Sequence, residues 1–268
     1  MKRKLAPAVH VLARFGYFSI GTIYVLIGVW AMLALWRVAN PAADEQRILQ
    51  RLTDLPLGFA VIAVLALGML GYMLWLIFEA VFDPYKFGNR LKGLSNRIAI
   101  ACSALAYGKI ASAGAIVLLG RGGHGEQQRQ RVARHVLDWP GGPWLLGAAG
   151  LAVAIVGLFQ IKYVHDGEHR RRIALPRRGR FARVAVDVLG WAGYGARCAI
   201  LLVLGWFLLR AASTVNARNV GDTDSAFDFL GLGGGTLGDT VFSVVALGTI
   251  CYGLFLYVNG VWFKSEAD

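Results

Sequence analysis

The chain has 268 residues, of which 56% are hydrophobic and only 16% charged, against roughly a quarter charged in an average soluble domain. That balance excludes a water-soluble globule, and a net charge of +12 spread over loops between apolar runs is a membrane-orientation signal before it is a nucleic-acid patch. The three cysteines, Cys102, Cys198 and Cys251, lie inside apolar runs with no Cys-x-x-Cys pair or neighbouring histidine, which excludes a disulfide framework and a zinc site and leaves them as small packing residues.

In chain order, apolar runs fall at 15–36, 57–78, 98–120, 143–161, 188–209 and 240–263, and the only charged residues inside them are Lys109 and Arg197. Each run is at or near the ~20 residues that cross a hydrocarbon core of about 30 Å. The chain is therefore expected to be an all-α membrane protein with six transmembrane helices. Met1-Lys2-Arg3-Lys4 before the first run imitates a signal peptide. The run is too long for a signal core and no small-x-small cleavage pattern follows Arg37, so it is expected to stay as the first helix.

Lysine and arginine counted on alternate sides of six spans give 17 on the side of the amino terminus and 9 on the other. The heaviest contribution is the fourth loop, with Lys162, Arg170, Arg171, Arg172, Arg177, Arg178, Arg180 and Arg183. By the positive-inside rule both termini are expected in the cytoplasm and the protein in a bacterial inner membrane. The fifth loop carries Asp222, Asp224, Asp228 and Asp239 and a run Gly231-Leu232-Gly233-Gly234-Gly235. No strand signal precedes this run and no Gly-Lys-Ser/Thr ends it, so it reads as a turn into the last helix and not as a phosphate loop.

The spans repeat. Setting Arg14 on Arg97 brings Tyr24 onto Tyr107, setting Gly16-Tyr17 on Gly193-Tyr194 brings Gly28 onto Gly205, and Gly71, Gly157 and Gly253 align among the even-numbered helices. Three tandem two-helix repeats follow, at 14–82, 97–164 and 191–263. Each crosses twice and begins on the same face, so the repeats are parallel, and a pseudo-threefold bundle about the membrane normal is expected. Small residues in the spans, among them Gly21, Gly28, Gly150 and Gly193, suit close helix contact in lipid.

Arg14-Phe15-Gly16-Tyr17 leading to Gly21, Tyr24 and Gly28, with Gly71-Tyr72-Met73-Leu74-Trp75, Gly157-Leu158-Phe159-Gln160 and Gly193-Tyr194-Gly195-Ala196-Arg197, resembles the bacterial membrane proteins grouped as domain of unknown function 1206. The resemblance covers nearly the whole chain and implies three two-helix units. An Ala-Arg-Gly that often follows the Gly-Tyr pair in that family is approached only by Ala196-Arg197-Cys198. The resemblance implies no activity.

Few residues offer chemistry. Lys109 lies about 16 to 18 Å along its helix from either end, where a cation is costly and usually faces protein or water. Two readings stand: a polar pocket inside the bundle that meets an anionic headgroup, a proton or a small acid, or a lysine satisfied by carbonyls and aromatic faces or snorkelling. Arg197, about 14 Å into the fifth run, can reach back to the interface, which favours anchoring or interhelix hydrogen bonding. Gln160, counted with Lys109 and Arg197 as the intramembrane polar site, and Asn259 are expected to hydrogen-bond between helices.

His165-Asp166-Gly167-Glu168-His169 has the spacing of a two-histidine face but no third ligand, so no metal is expected. Arg170, Arg171, Arg172, Arg177, Arg178, Arg180 and Arg183 form a candidate surface for anionic lipid or a partner, with topology signalling as the alternative. No nucleophile triad, paired carboxylates or metalloprotease motif is present. The expectation is a protein without catalytic residues or cofactors: an accessory or assembly subunit of a larger membrane complex, or a lipid-binding component, with a small transporter or channel around Lys109 as the alternative.

Overall fold

The computed structural model describes residues 7–36, 49, 52–53, 57–82, 91–120, 125–170, 173, 180–231 and 235–262. They form eight α-helices: α1 (Pro7–Leu35), α2 (Gly58–Phe82), α3 (Leu91–Leu118), α4 (Gly125–Leu137), α5 (Gly142–His165), α6 (Arg180–Ser213), α7 (Thr223–Gly231) and α8 (Gly235–Val261). Six of these, α1, α2, α3, α5, α6 and α8, contain apolar stretches of 19 to 31 residues, long enough to cross a membrane. Their outer faces carry large apolar side chains such as Leu67 and Leu74 on α2, Leu151 and Leu158 on α5, and Val244 and Leu247 on α8. Apolar faces of that extent are at home in lipid and not in water. Exposed Trp36, Trp139 and Trp144 cluster at one set of helix ends and Trp262 lies at the other, the placement of interfacial tryptophans.

In lipid, helices gain little from burying apolar surface and are held by close contact and interhelical hydrogen bonds. The closest pairings join one repeat to another: α1 with α8, α2 with α3, and α5 with α6. In the first of these, α1 and α8 run antiparallel with contacts every seven residues. Arg14 meets Gly260, Gly21 meets Gly253, and Gly28 meets Ala246. A methyl group on Gly21 would lie 2.9 Å from the Gly253 carbonyl oxygen, and one on Gly253 would lie 2.6 Å from that of Gly21. At the α5 and α6 joint the same reciprocal approach is made by Gly150 and Gly205, at 2.9 and 2.8 Å, with Gly157 against Cys198 seven residues on. At the α2 and α3 joint Gly108 accommodates Met73 and Gly114 accommodates Ala66, while Ala104 and Ala111 are buried at the same seven-residue steps from Arg97.

An arginine fastens two of the joints. Arg14 donates from Nε to the Gly260 carbonyl at 2.7 Å and from Nη2 to that of Val261 at 2.9 Å. Arg97 donates from Nε to the Ala80 carbonyl at 2.7 Å and from Nη2 to that of Val81 at 2.9 Å. Both guanidinium groups satisfy final-turn carbonyls that a helix cannot pair itself and oppose its negative end. At the third joint Trp191 stands where Arg14 and Arg97 stand, and the ends of α5 and α6 are tied by His169, Arg170 and Asp187 instead.

Within repeats, α1 packs on α2 and α6 on α8, but α3 and α5, the two arms of the second repeat, make no extended contact among the described residues. The spans therefore form a row, α3, α2, α1, α8, α6, α5, whose two ends are joined by no extended contact among the described residues. Those two end helices are the least buried of the six. The end of the bundle opposite the start of α1 carries the two short helices. Helix α4 packs Ala133 and Leu137 over Leu146, Ala211 and Ala217, and Arg129 pairs with Asp222. Asp222 accepts from the Ser225 backbone N–H at 2.8 Å and its hydroxyl at 2.6 Å, capping α7. Helix α7 in turn buries Ala226 and Phe227 against Phe242.

The reciprocal glycine contact predicts an asymmetry between two glycines of one helix. Gly205→Ala forces the α5 and α6 backbones apart and is expected to cost about 1 to 3 kcal/mol. Gly195, whose Cβ position meets nothing within 4 Å, should accept alanine without loss. Thermal unfolding of the two variants in the same detergent checks this.

Candidate functional site

Eight of the nine tyrosines in the chain lie in the six long helices, all but Tyr85, and most face inward. Two aromatic chains run through the interior. One links Tyr163 of α5 to Tyr194 of α6 at 5.4 Å between ring centroids, Tyr194 to Tyr252 of α8 at 5.3 Å, and Tyr252 to Tyr24 of α1 at 4.8 Å. The other links Tyr17 of α1 to Tyr72 of α2 and Tyr72 to Tyr107 of α3, each at 5.1 Å. All six spans contribute a ring. The tilted and edge-on geometries place ring edges against ring faces, as the quadrupole of each ring favours.

Arg197 sits where these chains come together. Its guanidinium carbon lies 4.6 Å from the Tyr252 ring centroid and 5.5 Å from that of Tyr24, and Nη1 donates to the Tyr252 hydroxyl. Tyr107 and Tyr194 complete the electrostatic surroundings of the charge. An arginine remains protonated in any protein environment, and rings presented face-on stabilise a cation, more strongly when water is excluded. No carboxylate among the described residues lies within ion-pair distance of Arg197. Of its five N–H donors, one is used on protein.

The cage is not uniformly buried. Tyr17, Tyr72 and Tyr252 are buried, whereas Arg197, Tyr24, Tyr107, Tyr163 and Tyr194 each keep some open surface although they lie within the bundle. Tyr107 belongs to α3 and Tyr163 to α5, the two helices that do not close on each other. Gln160 lies three residues before Tyr163 and so on the same face of α5. Its amide oxygen is buried without a hydrogen-bond partner. The contacts of Gly150 with Gly205 and of Gly157 with Cys198 set an antiparallel register that puts Gln160 within about a helical turn of the level of Arg197.

The expected polar site is thus divided. Arg197 and Gln160 are brought to one region, but Lys109 is exposed on α3, turned away from the face that carries Ala104 and Ala111 to α2. Of the two readings of Lys109, its exposed position accords with the snorkelling one: depth along a helix does not decide which way a side chain points. Of the two roles expected of Arg197, anchoring or interhelix hydrogen bonding, the second is met by its bond from α6 to the Tyr252 hydroxyl of α8. Helix α6 begins at Arg180, well before the apolar run, and is 34 residues long, with Arg197 at its midpoint, about 25 Å from either end. The interhelical bonds expected of Gln160 and Asn259 are not made: Asn259 donates to the Phe255 carbonyl of its own helix at 3.2 Å.

Where α5 ends and α6 begins, Arg170 pairs with Asp187 at 2.6 Å and His169 Nε2 lies 3.4 Å from the same carboxylate. His169 is buried, 1% exposed, against Phe255, in space left by Gly190. His165 is exposed beside Asp166, so the two imidazoles do not share a face. Arg183 is exposed. Arg171, Arg172, Arg177 and Arg178, and the side chain of Arg180, lie outside the described residues. The tyrosine cage had a signal in the sequence, the placement of a tyrosine in every span. Helix α4 had one in Val132, Ala133, Val136 and Leu137 at three- and four-residue spacing between polar residues.

These features define a multi-pass helical membrane protein built from repeated two-helix units around an aromatic interior. Residues 15–83, 98–163 and 192–262 each match the family described as Domain of Unknown Function (DUF1206), and the chain belongs to that family. It is 28% identical over 262 residues to the uncharacterized protein YxxB of Bacillus subtilis (strain 168), an alignment covering 98% of this chain and 94% of that protein. No solved structure matches it.

Burial holds the His169 imidazole below its ordinary value of 6.5, and the Asp187 contact offsets only part of this. The folded state therefore keeps this histidine neutral where the unfolded chain binds a proton. The stability it contributes is present above the unfolded value and is lost as pH falls through the lower, folded value. Melting temperature is expected to drop as pH falls below the ordinary histidine value of 6.5, and a His169→Gln variant should show a flatter profile there.

Proposed function

We propose that this protein is a non-catalytic inner-membrane protein that binds an anion within its bundle at Arg197. The observation that carries this reading is a permanent cation at the midpoint of a span, held by tyrosine faces and a single hydroxyl, with no neutralising carboxylate among the described residues and part of its surface open. Removing a charge from water without a partner is costly, and cation–π contact offsets only part of that cost. A bound oxyanion would neutralise the guanidinium and use its spare donors in the bidentate geometry that arginine favours. A passive subunit of a larger complex would need no such cage, and the exposed position of Lys109 gives no support to a transport site there.

We read the three repeats as arranged about an axis along the membrane normal, because the joint between repeats recurs and Arg14 and Arg97 make the same contact in two of them. The excess of lysine and arginine on the side of Arg14, Arg97 and the α5–α6 loop places both termini in the cytoplasm on this reading. Membrane lipids are its immediate partners.

Native mass spectrometry of the protein released from membranes in mild detergent tests the anion site. Wild type is expected to retain an anionic adduct, Arg197→Gln to lose it, and Arg197→Lys to keep a reduced share. Identical adduct spectra for wild type and Arg197→Gln would overturn the assignment. Topology is checked separately with reporter fusions: both ends should report the cytoplasm, and a split result would refute the orientation.

A further inference from the structure

The ligand class follows from charge, depth and the lining of the cage. One guanidinium serves the cage; Lys109, exposed on α3, adds no second cation to it. In a poorly solvated interior a monoanion is neutralised by Arg197, whereas a phosphate monoester carrying close to two charges would leave an excess negative charge. The rest of the lining is ring surface from Tyr24, Tyr107, Tyr194 and Tyr252, which suits hydrocarbon. Helices α3 and α5 make no extended contact among the described residues, and the cage members on those helices, Tyr107 and Tyr163, are among the partly open rings. Gln160, with its unpartnered buried amide oxygen, is on that side. Its oxygen can accept from a neutral acid, and the amide turned over can donate to a carboxylate.

Building on the anion-binding reading, we infer that the site takes a single-chain carboxylate amphiphile of the long-chain fatty-acid class, its head on Arg197 and its chain leaving the bundle between α3 and α5. A carboxylate matches the one charge and the bidentate fork. A single chain needs only one gap between helices. Two-chain phosphodiester lipids share the charge but would have to draw a bulky headgroup to the midpoint of α6.

The test uses the full chain in nanodiscs of zwitterionic phosphatidylcholine, with binding read by native mass spectrometry. Palmitate is expected to bind at one per chain. Hexadecanol (the chain without the charge), and butyrate and inorganic phosphate (charge without the chain), should each bind at least tenfold more weakly. Arg197→Gln should weaken palmitate at least tenfold and leave hexadecanol unchanged, Arg197→Lys should restore part of the affinity, and Gln160→Leu should weaken palmitate severalfold; circular dichroism and gel filtration confirm that each variant is folded. A palmitate analogue with a mid-chain diazirine should crosslink to peptides of α3 and α5.

Hexadecanol binding as tightly as palmitate, or palmitate binding that ignores Arg197→Gln, would overturn the inference. Butyrate or phosphate binding as tightly as palmitate, in a manner that depends on Arg197, would overturn the amphiphile while leaving the anion site standing. Phosphatidylglycerol displacing palmitate at equal concentration would overturn the carboxylate assignment, and crosslinks spread evenly over all six spans would overturn the route. No Arg197-dependent binding of any anion would defeat both readings together.

Discussion

Everything in this bundle depends on how near two helix backbones can come. Where the surroundings are as oily as the contact, a helix pair is held by the number of atoms in touch and by the few polar bonds it makes, and both increase as the axes approach. Gly21 against Gly253 and Gly150 against Gly205 bring carbonyl oxygens to positions a side chain would otherwise occupy. With those joints in place, Arg14 and Arg97 reach the last carbonyls of the neighbouring helices. The joints are antiparallel and lie between repeats, so each two-helix unit is completed by its neighbour more than by itself.

The same constraint explains how a charge is held at mid-span. Close approach at the joints leaves the inward faces free for large side chains, and this chain fills them with tyrosine, which combines an apolar body with a hydroxyl and a negative ring face. Arg197 is placed by Gly193, which seats α6 against the backbone of Tyr252, so that the residue beneath its guanidinium is positioned by a glycine one turn away. The positioning of the cage and the packing of the bundle are products of one set of small residues.

Much of the fold is legible in the sequence because length and uniform apolarity are properties of a run as a whole. The six spans and their repetition needed no knowledge of which side faces where. What remained hidden depends on direction. Lys109 is conspicuous by its depth, yet Ala104 and Ala111, seven residues apart, mark the packed face of α3, and the lysine, five residues from one and two from the other, falls outside it. For Arg197 the difficulty was extent: Arg183 and Asp187 precede the apolar run, yet α6 continues back through them to Arg180, with Asp187 paired to Arg170. Helices α4 and α7 were hidden by brevity, since each is stabilised by what it packs upon and by a single cap or ion pair. The cage itself could be seen only by treating tyrosine as a class of residue with a position in every span.

The pairing of α1 with α8 sets an order of events during synthesis. The stripe of Gly21 and Gly28 on α1 is translated before α2, α3, α5 and α6, and its partner surface on α8 only after them. Until α8 arrives, that face of α1 has no partner helix, and the insertion of α8 closes a joint between residues far apart in the chain. Assembly of this joint is therefore tied to synthesis of α8, and a product truncated before α8 would be left with the glycine face of α1 unpaired.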